Sequence, residues 1–148
     1  MNGAQQGWVA LLPLIGASLL AHPLLKAADF NSEEIEFFES KIRPVLAQEC
    51  YECHNSRDKA KAGLVLDYRE GLLKGGDLGP TIIPGKPDES ILMEALRHEY
   101  DLEMPKAGVK LDPPIVADFE KWIAMGAPDP RANPPSDEEL ASDTGWEA

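Results

Sequence analysis

The chain has 148 residues, with 26 Asp and Glu against 14 Lys and Arg, for a formal net charge of −12. That length fits one compact domain with one core and leaves no room for two comfortable ones. The charge argues against DNA or RNA as a partner, because phosphate binding rests on lysine and arginine. It leaves a basic protein patch or a neutral small molecule, and it equally suits a well-solvated surface.

No formal charge precedes Lys26, and Trp8 to Leu25 form an almost continuous apolar run, broken by Pro13, Gly16 and Pro23. The small residues Ala27 and Ala28 follow as a cleavage site, so residues 1–28 read as a secretory signal peptide. The run lacks a positive n-region, and an uncleaved anchor at the short limit for a membrane span stays open. Either way the residues that follow are expected outside the cytoplasm, in the periplasm or its equivalent. A domain over 29–131 comes next, then an acidic, polar stretch over 132–148 that reads as a disordered tail or linker.

Within the domain, Asn31 followed by Glu34 forms a capping box, with Phe30 stapled to Ile35. Ile35, Phe38, Ile42, Val45 and Leu46 continue at helical spacing toward Cys50, and Pro44 should kink that helix. Leu64 and Leu66 alternate as a short extended segment. Asp67 is expected to cap a brief helix ended by Gly75 and Gly76, and Asp88 to open another that buries Leu92, Ala95 and Leu96. The last helix starts from Asp112 and Pro113, repeats Ile115, Val116, Phe119, Trp122 and Ile123 on one face, and stops at Gly126 and Pro128.

Both cysteines lie in Gln48-Glu49-Cys50-Tyr51-Glu52-Cys53-His54. A structural zinc site needs four ligands, and no second cysteine pair supplies them. A redox dithiol wants its first cysteine at a helix N-terminus after a strand, whereas an amphipathic helix precedes Cys50. A disulfide between cysteines three apart constrains little of the unfolded chain. C-x-x-C-H as a c-type haem attachment site accounts for both thiols, which form thioethers, and for His54 as the proximal ligand to the iron. For the sixth position Met93 and Met125 fall in helical patterns, as core methionines do. Met104 sits in a loop before Pro105, which pushes its backbone toward an extended form, and is the favoured ligand. His98 and an open site remain alternatives.

Together with that motif, the pieces AGLVLDYREGLLKGGDLGPTIIPGKPDESIL, EMP and FEKWIAMGAPDP resemble the planctomycete-type cytochrome c domain, within the broader class I cytochrome c plan, over about residues 30–130. The resemblance implies an all-α haem domain whose N- and C-terminal helices cross, with Phe37 or Phe38 near Trp122. It implies one covalent haem c, thioethers at Cys50 and Cys53, and axial ligands His54 and Met104. The expected function is extracytoplasmic electron transfer to a redox partner protein with a basic patch, and no catalytic side chain is named. Two alternatives stay open. One is a haem peroxidase-like oxidoreductase with an open distal site and His98 as proton shuttle. The other is a redox module at the front of a larger multidomain enzyme, as many such domains are.

Overall fold

The computed structural model describes residues 30–106, 110–136 and 138. The expected signal peptide lies outside them, as do residues 137 and 139–148 of the acidic tail. Among the described residues the fold is all-α, with no strand and only isolated bridges between His54 and Ala60 and between Gly76 and Gly79. Its α-helices are α1 (Ser32–Phe37), α2 (Arg43–Glu49), α3 (Arg69–Lys74), α4 (Ile91–Arg97) and α5 (Pro113–Ala124), joined in part by 3-10 turns at Lys61–Gly63 and Pro87–Glu89. Among the described residues no helix is long and apolar enough to cross a membrane.

α1 begins as its sequence requires. The Glu34 N–H donates to Asn31 Oδ1 at 3.0 Å, and the Asn31 N–H donates to Glu34 Oε2 at 2.9 Å, so two otherwise orphaned backbone donors are satisfied. Pro44 does not break the path. The chain widens into a π-helical segment, Phe38–Ile42, and Pro44 falls in the first turn of α2, where a missing N–H costs little. The segment keeps Phe38, Ile42 and Leu46 on one face, all fully buried.

Two expected caps are corrected by longer-range partners. The residue before α3 is Tyr68, which makes no side-chain cap bond. Asp67 instead accepts from the backbone N–H and the hydroxyl of Ser56, both at 2.7 Å. α4 is preceded by Ser90, whose buried hydroxyl donates to the Lys86 carbonyl at 2.8 Å and accepts from the Ile83 N–H at 2.9 Å. Asp88 lies in the preceding 3-10 turn and pairs with Arg97. Short polar side chains compete for local and distant backbone groups alike, and spacing alone does not choose between them. Gly75 ends α3 at φ 71°, and a Cβ there would sit 1.8 Å from the Gly79 carbonyl oxygen, so only glycine fits.

α5 packs against the π-helical segment and α4. Trp122 is fully buried, 5.8 Å from the Phe38 ring centroid and edge-on to Phe119 at 6.1 Å. Of the two candidate phenylalanines it is therefore Phe38 that meets Trp122, while Phe37 lies under the Lys121 ammonium. Trp122 Nε1–H donates to the Pro128 carbonyl at 2.7 Å, which folds the segment after α5 back onto the core. Met93 is fully buried among these residues, as a core methionine. The Arg97 pairs with Asp88 and Glu120 lie at the surface and contribute about 0–1 kcal/mol each, so apolar packing dominates. Trp122→Ala is expected to lower unfolding free energy by about 3–5 kcal/mol in urea titration, and Trp122→Phe by less, with the orphaned Pro128 carbonyl contributing.

Candidate functional site

The residues Cys50 to His54 form a tight turn at the end of α2. The N–H groups of Cys50 and Tyr51 both donate to the Leu46 carbonyl, at 2.9 and 3.0 Å. Those of Cys53 and His54 donate to the Cys50 carbonyl, at 3.1 and 3.0 Å. The turn leaves both thiols partly buried and unpaired with one another. Burial, with Glu49 and then Cys53 adding to it, pushes the Cys50 thiol up to about 12.

The chain after the turn is folded by its own side chains. Asn55 Oδ1 accepts from the N–H groups of Arg57, Asp58 and Lys59, while its Nδ2 donates back to the Tyr51 carbonyl at 2.8 Å. Ser56 is held by Asp67, and the Leu66 N–H donates to the His54 carbonyl at 3.0 Å. The GLVLD segment is thereby laid along the cysteine turn, and Leu64 and Leu66 face a cavity of about 500 Å³. That volume lies within the range of about 300–1,000 Å³ typical of cofactor sites.

The cavity wall brings together Cys50, Cys53, His54 and Met104. α4 supplies Ile91, Leu92, Ala95 and Leu96 to the same wall, so its surface is mainly apolar. His54 is 8 % exposed, and burial holds its imidazole below the usual histidine range, in the neutral form that ligates metals. Its Nδ1 is buried with no hydrogen-bond partner among the described residues. Such a nitrogen is costly unless a bound group satisfies it. Met104 is partly buried, and its N–H donates to the Ala95 carbonyl at 3.1 Å. Met93, Met125 and His98 are not among the residues that line the cavity. The His98 Nε2 lies 3.2 Å from the Met104 carbonyl oxygen. Among the described residues no cluster of three or more His, Cys, Asp or Glu side chains is arranged to hold a metal ion.

Behind the turn stands a cluster to which the sequence reading assigned no role. Arg131 donates two hydrogen bonds to Asp129, to Oδ1 at 2.9 Å and Oδ2 at 2.7 Å, and a further one to the Tyr51 hydroxyl. Its guanidinium lies 4.8 Å from the Phe38 ring centroid. The Asp129 side chain is fully buried, so this ion pair fixes the residue between the two cysteines from the far end of the domain. The Asp-Pro-Arg spacing after α5 was its only sequence trace.

A helical frame with a C-x-x-C-H turn on the wall of a cofactor-sized cavity accords with a haem-binding cytochrome domain. Residues 50–108 match the family model described as Planctomycete cytochrome C, so this stretch is similar to the planctomycete-type cytochrome c domain. Neither a curated protein nor a solved structure matches the chain.

Burial raises the Tyr51 phenol above its ordinary value of 10.0, against the opposing charge of Arg131. A raised folded-state pKa contributes stability that is complete below the unfolded value and lost as pH climbs toward the folded one. The haem-loaded protein is therefore expected to lose stability above about pH 10, and Tyr51→Phe to flatten that limb by about 1.4 kcal/mol per pH unit. Urea unfolding at stepped alkaline pH measures the difference.

Proposed function

We propose that the domain is a single-haem electron carrier working outside the cytoplasm. Cys50 and Cys53 form the thioethers, His54 is the proximal iron ligand and Met104 the distal one. The observation that carries this reading is the one cavity wall shared by the cysteine turn and by Met104, which follows His54 by 50 positions in the chain. The residues fit the group: two thiols, a neutral imidazole with an unpartnered ring nitrogen, a thioether and an apolar lining. The contact of Phe38 with Trp122 supports a class I cytochrome c-like arrangement with crossing terminal helices.

When bound, haem supplies a one-electron iron couple. The protein's residues do the rest. Cys50 and Cys53 tether, His54 offers a lone pair, and Leu64, Leu66 and Leu92 keep water from the wall. Methionine ligation and burial both raise the reduction potential, and a filled sixth position suppresses reaction with oxygen or peroxide. No side chain acts as acid, base or nucleophile. An N-terminal signal peptide or anchor delivers the domain across the membrane, where c-type haem is attached.

The optical spectrum of the matured protein tests the ligand set. The wild type is expected to be low-spin with a sulfur-to-iron charge-transfer band, which Met104→Ala loses while keeping covalent haem. A high-spin wild type, or a band that survives the substitution, would remove Met104 as ligand.

At the cavity mouth Leu78 is 67 % exposed, on the Gly76–Gly79 turn, with Glu49, Glu52 and Asp77 nearby and Lys61 and Lys106 interspersed. With the net charge of −12, this surface suits a redox partner that carries a basic patch. The bimolecular electron-transfer rate with a basic partner is expected to fall as salt rises from low to physiological ionic strength. A rate indifferent to salt would exclude steering by charge.

A further inference from the structure

We propose that His98 is a positioning residue for Met104, its ring Nε2–H donating to the Met104 carbonyl and holding the loop that presents the thioether. The inference rests on Met104 as the distal ligand. α4 ends at Arg97, and His98 follows in the left-handed conformation, φ 58° and ψ 53°, its N–H donating to the Ala95 carbonyl at 3.3 Å. The chain then reverses through Tyr100 and Asp101, both at positive φ, with the Leu102 N–H donating to the Glu99 carbonyl at 2.9 Å. It returns to the same helix end. The Met104 N–H meets the Ala95 carbonyl at 3.1 Å, and the Met104 carbonyl meets His98 Nε2 at 3.2 Å.

Both main-chain polar groups of Met104 are thus held from the last turn of α4, the helix whose Ala95 and Leu96 form part of the cavity wall. The loop is thus tied to the wall. A left-handed position by itself is met as well by glycine or asparagine. The ring contact supplies a reason for histidine. A carbonyl only accepts, so the ring nitrogen facing it carries the proton, in the neutral Nε2–H tautomer or the imidazolium. That nitrogen then has no lone pair to give to iron.

The test uses the matured holoprotein. His98→Asn keeps a residue tolerant of the left-handed conformation but stops its amide donor short of the Met104 carbonyl, and His98→Gln returns an amide donor at comparable reach. The expected result for His98→Asn is covalent haem with a weakened sulfur-to-iron band and imidazole binding to iron about tenfold faster, the worth of one ordinary hydrogen bond. His98→Gln should recover most of both. A full band and an unchanged imidazole rate in His98→Asn would overturn the proposal, as would equal impairment in the two variants. Nitrogen NMR of the wild type gives an independent reading: His98 Nε2 is expected protonated and slow to exchange, and an unprotonated Nε2 overturns the proposal whether or not the variants mature. A wild type without the charge-transfer band removes the Met104 reading and this one with it. A wild-type band with unaffected variants removes this one alone.

Discussion

Trp122 against Phe38 is the contact on which the remaining arrangement depends. It joins the first helical stretch to the last, and the indole has a second use, since its Nε1–H fixes the Pro128 carbonyl. That bond turns the chain so that Asp129 and Arg131 come under Tyr51, inside the cysteine turn. The position of the turn is therefore set from both sides, by α2 running into it and by the end of the domain closing behind it. A buried charge pair is poor evidence of net stabilisation, because desolvation offsets much of the attraction. What Arg131 and Asp129 contribute is definition, since neither can leave the other without stranding a buried charge.

The opposite wall is organised by polar side chains rather than by apolar packing. Asn55 gathers three backbone N–H groups of the following loop and reaches back to Tyr51, while Ser56 ties that loop to Asp67. The segment from Asn55 to Lys61 has little apolar content to bury, and these bonds give it one shape. Leu64 and Leu66 are then delivered to the cavity as neighbours of His54.

How much of this was legible in the chain follows from how far apart the partners lie. The Asn31–Glu34 capping box was readable because both partners fall within one turn, and the face of α5 because its period repeats over three turns. C-x-x-C-H stands out in the chain because the haem attachment proposed for it demands a fixed spacing. Asp67 and Asp88 misled because a carboxylate near a helix start has the same local pattern whether it caps that helix or bonds a residue eleven or nine positions away. The contacts of Arg131 and of the His98 ring were hidden for a related reason: each depends on where the chain returns, which no local period records. Met104 was singled out from its loop and its proline, but only the fold brings it to the same wall as His54.

The π-helical segment Phe38–Ile42 has a geometric consequence for the far end of the helix that follows. Each residue of an α-helix advances the azimuth by about 100°, so one surplus residue in a widened turn acts as a phase adjustment between α1 and α2. The wider turn takes up that residue, so the faces on either side stay in register, whereas the same residue carried in regular α-helical geometry would rotate everything beyond it by roughly that angle. Phe38 and Leu46 thereby reach one core. The wide turn is in this sense a slack joint that keeps the C-x-x-C-H motif on its heading, some ten residues downstream.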